Sequence, residues 1–267
     1  MSEYSEIAAR NHLKEKLQQG KVVACMILRI SRGTEIARIA KAADFDALYV
    51  DLEHSSVSLD TTGQICMTAL DLGVTPLVRV ADRSPEAIGR VLDGGALGII
   101  VPGISDAAAA RAVVESVKYP PLGVRSVSSG LPHLQYRSVP TAQANTLLNA
   151  RTMVNVMIET QEALDNIEEI AAVDGIDILH VGMNDLATNL GLSTPLDPDV
   201  VKAIFAPLLK AARAHGRYVG VGGLTGMPDL LRELVADGVQ FISAGTDLSF
   251  LLSAASERAR FVHALGE

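Results

Sequence analysis

The sequence predicts a single (β/α)₈ barrel of the TIM type, an α/β fold spanning residues 1–267 with an extra helix ahead of the first strand. Three observations carry that expectation. Short, wholly apolar, largely β-branched runs recur eight times along the chain. Segments with helical spacing lie between them. Acids, bases and glycines gather at the same end of each run.

The apolar runs are VVACMIL at 22–28, ALYVD at 47–51, TPLVRV at 75–80, LGIIVP at 97–102, MVNVMIET at 153–160, DILHVG at 177–182, RYVGVG at 217–222 and VQFISAG at 239–245. A continuous apolar run marks a strand buried on both faces, and so a parallel sheet. Helical spacing occupies 34–43, 59–72, 85–92, 106–118, 162–173, 200–215 and 229–237. Most of these segments open on a capping residue or an early proline and close near a glycine. Ser84-Pro85 and Gly94-Gly95 bracket one of them. Eight such units in one chain favour a closed barrel over an open doubly wound sheet. The amphipathic stretch at 4–19 is expected to be a helix covering the bottom of the barrel. The connection at 119–151, containing PPLGVRSVSSGLPH, departs from the repeat, and a loop of that length is usually functional.

Composition narrows the function. Apolar residues make up 48% and charged residues 20% of the chain, which fits a folded enzyme and excludes a disordered tail. With no Trp and only 4% aromatics, the core must be filled by Val, Ile, Leu and Ala. A net charge of −8 without a basic run excludes a nucleic-acid partner. The first apolar stretch, 22–28, is too short for a signal sequence or a membrane span, so a cytoplasmic protein without a membrane partner is expected. Cys25 and Cys66 sit in apolar surroundings and read as buried, reduced, inert thiols.

The polar residues fall after the strands: Asp51, Glu53 and His54 after the second, Arg79 at the third, Glu159 at the fifth, Asp185 after the sixth, Gly222-Gly223 at the seventh and Gly245-Thr246 at the eighth. In a barrel these positions converge on the carboxyl face, where active sites are built. Glu159 ends an apolar strand, where a carboxylate is costly unless a cation or hydrogen-bond donors meet it. Asp185 lies in a turn able to aim a carboxylate and backbone N–H groups at a ligand. Two carboxylates with substrate oxygens and water suit Mg²⁺ or Mn²⁺. The plainer alternative has Glu159 paired with an arginine and Asp185 capping a helix. His54, with Asp51 three residues earlier, forms a candidate acid/base dyad, against the alternative of a surface histidine. Arg79 reads as an oxyanion or carboxylate contact, or else as a structural partner of Asp51 or Glu159. Of the other histidines, only His133 and His180 are placed to approach the site.

At YVDLEHSS, PLVRV, VLDGGALGIIVP, KYPPLGVRS, VMIET, GIDILHVGMNDLA and SAGTD the sequence resembles the HpcH/HpaI family of class II, metal-dependent pyruvate aldolases, over nearly its whole length. The resemblance implies that Glu159 and Asp185 hold a divalent cation (Mg²⁺, Mn²⁺ or Co²⁺), that Arg79 polarises the pyruvate carbonyl, and that His54 with Asp51 moves protons. It further implies that the backbone at Asn184 and Asp185 receives the pyruvate carboxylate. Asp93, by residue logic a helix-end cap, matches a family residue that reaches a neighbouring subunit's site, so a homo-oligomer is implied, with a hexamer typical. Two departures bear on substrate preference: Met157 stands where the family often has Gln, and Met183-Asn184 where it usually has Pro-Ala.

The implied reaction is reversible cleavage of a 4-hydroxy-2-oxoacid to pyruvate, or a related 2-oxoacid such as hydroxypyruvate, and an aldehyde through an enolate. The acceptor pocket is expected from the long connection, from the loop around Arg29 and Ser31, and from a neighbouring subunit. The alternatives are an oxaloacetate decarboxylase or other enolate-forming lyase on the same site, and a non-catalytic barrel that binds a keto acid.

Overall fold

In the computed structural model, which describes residues 3–266, eight parallel strands close into a barrel in chain order. They are β1 (Val23–Leu28), β2 (Ala47–Asp51), β3 (Thr75–Arg79), β4 (Gly98–Val101), β5 (Met153–Ile158), β6 (Ile178–Gly182), β7 (Tyr218–Gly222) and β8 (Val239–Thr246). All eight apolar runs are strands. Every residue of β2 through β6 is buried, as a sheet covered on both faces requires.

The helices are α1 (His12–Gln18), α2 (Glu35–Ala42), α3 (Leu59–Leu72), α4 (Pro85–Asp93), α5 (Ala107–Val117), α6 (Thr141–Arg151), α7 (Gln161–Asp165), α8 (Ile167–Ala171), α9 (Met183–Asn189), α10 (Pro198–His215), α11 (Pro228–Asp237) and α12 (Asp247–Ala264). Their starts follow the capping rules: the side chains of Ser58, Ser84, Asp106 and Thr160 accept N–H bonds from the first turns of α3, α4, α5 and α7. The segment at 162–173 is two short helices, parted at Asn166, whose amide turns aside to the Ser105 carbonyl at 2.9 Å. Outer helices and barrel share a large apolar core that includes Ile88, Leu92, Ile170, Phe205, Leu208 and Leu234, all buried.

The N-terminal helix is shorter than the 4–19 stretch suggests, a 3-10 turn at Glu3–Ser5 being followed by α1 from the Asn11 cap. It does cover the bottom of the barrel. Leu13 and Leu17 join the interior cluster of Val23, Cys25, Leu77, Met153 and Phe241, and the Leu13 N–H donates to Thr75 Oγ1 at the base of β3 at 3.0 Å. Burial of each leucine contributes about 1.5–3 kcal/mol.

The long connection corrects two expectations. Its last third is α6, hidden in sequence because TAQANTLLNAR has no apolar stripe and buries only Leu148. The whole connection also follows an α-helix and precedes a strand, so it lies at the bottom of the barrel, away from the carboxyl mouth. His133 Nε2 lies 2.9 Å from the Ala96 carbonyl below β4, and Arg151 donates to the Ala9 carbonyl at 2.8 Å. The connection does not wall its own chain's pocket.

Cys25 and Cys66 are buried and unpaired, and burial pushes both thiols up, Cys66 to about 12. Among the described residues, no helix is long and apolar enough to cross a membrane.

Candidate active site at the carboxyl end of the barrel

A cavity of about 260 Å³ opens at the carboxyl end of the strands, lined in part by Arg29, Tyr49, His54, Arg79, Asp185 and Ser243. Asn184, Gly182, Gly222 and Gly223 complete much of its wall. The strand ends bring these residues together across long sequence separations. Asp51 and Arg79 are direct neighbours in the β2–β3 register.

Asp51 is the anchor of this region. Its fully buried carboxylate accepts Arg79 Nε at 2.9 Å and the second Arg79 nitrogen at 2.6 Å, and takes Arg29 Nε at 2.7 Å. Burial alone would push the carboxyl up, but the two guanidinium groups outweigh it and hold it below the usual range. Asp51 also accepts the backbone N–H groups of Glu53 and His54 at 3.2 and 3.1 Å. This corrects the expected dyad: Asp51 orients the loop that carries His54, and the imidazole itself faces Glu53, with Nε2 3.8 Å from Glu53 Oε2.

Arg79 forms the buried pair with Asp51 that the sequence left open as an alternative, and still lines the cavity. Its Nη1 lies 3.2 Å from Glu53 Oε2 and 3.9 Å from the Met157 sulfur. Met157 therefore offers the guanidinium a soft thioether where an amide would offer a stronger acceptor. Glu53 bridges Arg79 and His54, a link that the adjacency in DLEHSS alone does not reveal.

Glu159 follows β5 directly and makes no ion pair with an arginine among the described residues. Its Oε2 accepts the Gly103 N–H at 2.9 Å, and Oε1 rests against Gly182, where an added Cβ would approach to 2.6 Å. Desolvation raises its pKa, the Gly103 bond opposes this, and the nearby Asp185 charge pushes it further up. Asp185 lies in the first turn of α9, whose N-cap is Gly182, and among the described residues its carboxylate has no hydrogen-bond or salt-bridge partner. Neighbouring Asn184 leans on Gly223, at φ +90°, where a Cβ would meet Asn184 Oδ1 at 2.9 Å. Only glycine suits that position, on both backbone and steric grounds.

Two mutually repelling carboxylates lie at this mouth, unpartnered Asp185 on the cavity wall and half-buried Glu159 against the lining residue Gly182. Among the described residues there is no cluster of three or more His, Cys, Asp or Glu side chains suited to a metal. A pair of carboxylates that leaves coordination positions to substrate and water fits Mg²⁺-like ions, and the donor set does not fit zinc.

Asp93 ends α4, hence at the bottom of the barrel, and pairs with Arg125 at 2.7 Å. It is remote from its own mouth by topology. His133 is buried in the lower connection, whereas His180 sits inside the barrel just below the cavity, hydrogen-bonded to Ser243. Sequence reasoning did not single out Arg29 as a partner of Asp51, nor Asp247 as the residue whose carboxylate gathers the N–H groups of Arg29, Ile30 and Ser31 at 2.7–3.4 Å. The signal for the second lay in SAGTD, an acid directly after the last strand.

Barrel and mouth together define an enzyme of the TIM-barrel class with a carboxylate-lined, arginine-backed site. Residues 26–254 match the HpcH/HpaI aldolase/citrate lyase family, and the chain belongs to that family. It is 35% identical over 259 residues to the 4-hydroxy-4-methyl-2-oxoglutarate aldolase cghB of Chaetomium globosum, covering 96% of both chains. With the hydroxypyruvate/pyruvate aldolase of Rhizorhabdus wittichii it shares 36% identity over 229 residues, 84% of this chain and 88% of that one. Among solved structures, the HpcH/HpaI aldolase of Desulfitobacterium hafniense superimposes with a TM-score of 0.88 at 28% identity, over 94% of this chain and 96% of that one.

Proposed function

We propose that this protein is a metal-dependent aldolase that reversibly cleaves a 4-hydroxy-2-oxoacid to a 2-oxoacid, pyruvate or hydroxypyruvate, and an aldehyde. The observation that carries the reading is that Arg79, locked by Asp51, and the Asp185 carboxylate line one small cavity, with the Glu159 carboxylate against the lining residue Gly182. The aldolases among its relatives support the same reaction class.

Glu159 and Asp185 are the residues that would hold the divalent cation, Mg²⁺, Mn²⁺ or Co²⁺. When bound, such an ion supplies Lewis-acid polarisation of the 2-oxoacid carbonyl. Backbone N–H groups at Asn184 and Asp185, in the first turn of α9, receive the substrate carboxylate. His54 takes the proton from the 4-hydroxyl, that oxygen becomes the aldehyde carbonyl, and the C3–C4 electrons pass into the 2-oxoacid half. Arg79 faces the oxygen on which the enolate charge develops, and its fixed fork needs no reorganisation. C3 of the enolate then takes a proton from solvent, completing the 2-oxoacid, and His54 releases to solvent the proton it took from the hydroxyl. Glu53, beside both Arg79 and the imidazole, keeps the two groups in register.

The hexamer and a cytoplasmic location belong to the same proposal. Support for an assembly comes from α12, which leaves Leu251, Leu252, Phe261 and Val262 more than half exposed, and from Asp93, which lies at the end of α4 remote from its own chain's mouth. The test is a panel of short aldehydes against pyruvate and hydroxypyruvate, with and without EDTA. Retro-aldol and aldol turnover with at least one pair, lost in EDTA and restored by a divalent ion, is the expected result; oxaloacetate decarboxylation without any aldol turnover would replace the reading with a decarboxylase.

A further inference from the structure

Beneath the cavity floor, three polar side chains run through a barrel interior built largely from apolar ones. Asn155 on β5, His180 on β6 and Ser243 on β8 are 1%, 1% and 3% exposed. Asn155 Nδ2 lies 3.4 Å from His180 Nδ1, and His180 Nε2 lies 3.4 Å from Ser243 Oγ. The edge of Phe241, its ring centroid 5.2 Å away, packs against the imidazole.

The strand between β6 and β8 is β7, and it presents glycine there. A Cβ at Gly222 would come within 3.3 Å of Ser243 Cβ and 3.4 Å of His180 Nε2. The missing side chain leaves the Ser243 hydroxyl facing the cavity, which Gly222 and Ser243 both line. A larger residue at 222 would roof the pair over.

The direction of the hydrogen bonds follows from chemistry. An amide NH₂ only donates, so His180 Nδ1 accepts, and a neutral imidazole then carries its proton on Nε2. Burial, aided by the Arg79 charge, pushes this imidazole down to about 3, so it is neutral under ordinary conditions. Nε2–H therefore donates to Ser243 Oγ, and the hydroxyl proton is left to point into the cavity. Asn155 Oδ1 is buried without a partner, a cost that an apolar residue would avoid. Two buried polar groups lined up behind one hydroxyl are a costly way to fill a barrel, and a ligand acceptor at the open end accounts for the cost.

We propose that Ser243 contacts substrate, its hydroxyl donating to an oxygen of the 2-oxoacid half, and that His180 and Asn155 are positioning residues fixing the direction of that hydroxyl. The 2-oxoacid half is the one concerned because Ser243 lies on the floor with Arg79, whereas the ring of His54, which serves the aldehyde side, is half-exposed at the rim. The inference rests on the aldolase reading above.

The test varies the 2-oxoacid and the aldehyde separately in the condensation direction, with folding checked by circular dichroism. Ser243→Ala is expected to raise the KM for the 2-oxoacid about three- to tenfold with the aldehyde KM unchanged, the range for a lost neutral hydrogen bond. Ser243→Thr, which keeps the hydroxyl, is expected to restore most of that loss. His180→Phe should raise the same KM, and the double variant should be no worse than Ser243→Ala, because the histidine acts through the serine. An unchanged 2-oxoacid KM in Ser243→Ala, or a shift confined to the aldehyde, overturns the assignment. If His180→Phe fails to fold, the serine pair still decides. Wild-type enzyme without aldol turnover would instead overturn the aldolase reading, and calorimetric binding of pyruvate to wild type and Ser243→Ala would then decide the contact alone.

Discussion

Asp51 grips Arg79 at two points, 2.9 and 2.6 Å, and meets His54 only at its backbone N–H, 3.1 Å away. The carboxylate thus fixes the guanidinium and the loop that carries the imidazole without touching the ring. Asp51→Ala would leave Arg79, only 4% exposed, without its two-point partner and with Glu53 as its remaining carboxylate. Removing one partner of such a pair costs about 3–5 kcal/mol. Urea unfolding of the variant should show a loss of that size, and a loss well below it would mean that Glu53 alone sustains the guanidinium.

Arg79→Lys keeps the charge and loses the fork. Lysine cannot reproduce the two parallel bonds to Asp51 while also facing the enolate oxygen. The rate is expected to fall about a hundredfold, the scale of a lost oxyanion donor. Near-normal turnover by steady-state kinetics would leave Arg79 a structural partner of Asp51 and nothing more.

His54→Ala separates the half-reactions. With the enolate charge met elsewhere, aldol cleavage is expected to drop about a hundredfold or more, the range for a positioned acid/base. Oxaloacetate decarboxylation, which needs no 4-hydroxyl proton removed, should fall much less. Equal loss of both would place the histidine in the enolate step.

Acid stability follows from two buried histidines. Burial pushes His180 down to about 3 and His133 to about 4, from 6.5. Below pH 6.5 the unfolded chain binds protons that the folded chain refuses, so the stability present above that pH is lost as pH falls. By pH 5 the loss is about 2 kcal/mol for each histidine. Denaturant unfolding at pH 7 and pH 5 should show it, with His133→Asn reducing the pH dependence by one histidine's share. An unchanged dependence would mean that His133 gains a proton in the folded state.

The eight strands are legible in sequence because a strand buried on both faces is mostly apolar, so Val154 or Leu179 announces its surroundings. Glu159 and Asp185 stand out against the same background, as acids that closely follow such strands. What stayed hidden depends on which face or end an element presents. Nothing local says that α6 packs through Leu148 alone, or that the connection before it lies under the barrel. His180 looks like any polar residue near a strand end until β5 and β8 bring Asn155 and Ser243 to its two nitrogens. The Asp51–His54 dyad is a case of right residues and wrong atoms: the spacing places them together, and only the turn decides that backbone rather than ring faces the carboxylate.

The central claim is that the carboxylate pair at the mouth makes a divalent ion necessary for enolate formation. Exchange of pyruvate methyl protons for deuterium, followed by NMR, reads that step without any aldehyde. EDTA-treated enzyme is expected to exchange at the background rate, with Mn²⁺ or Mg²⁺ restoring exchange in wild type but not in Glu159→Ala or Asp185→Ala. Exchange at the full rate in the EDTA-treated enzyme, or in both variants, would contradict it.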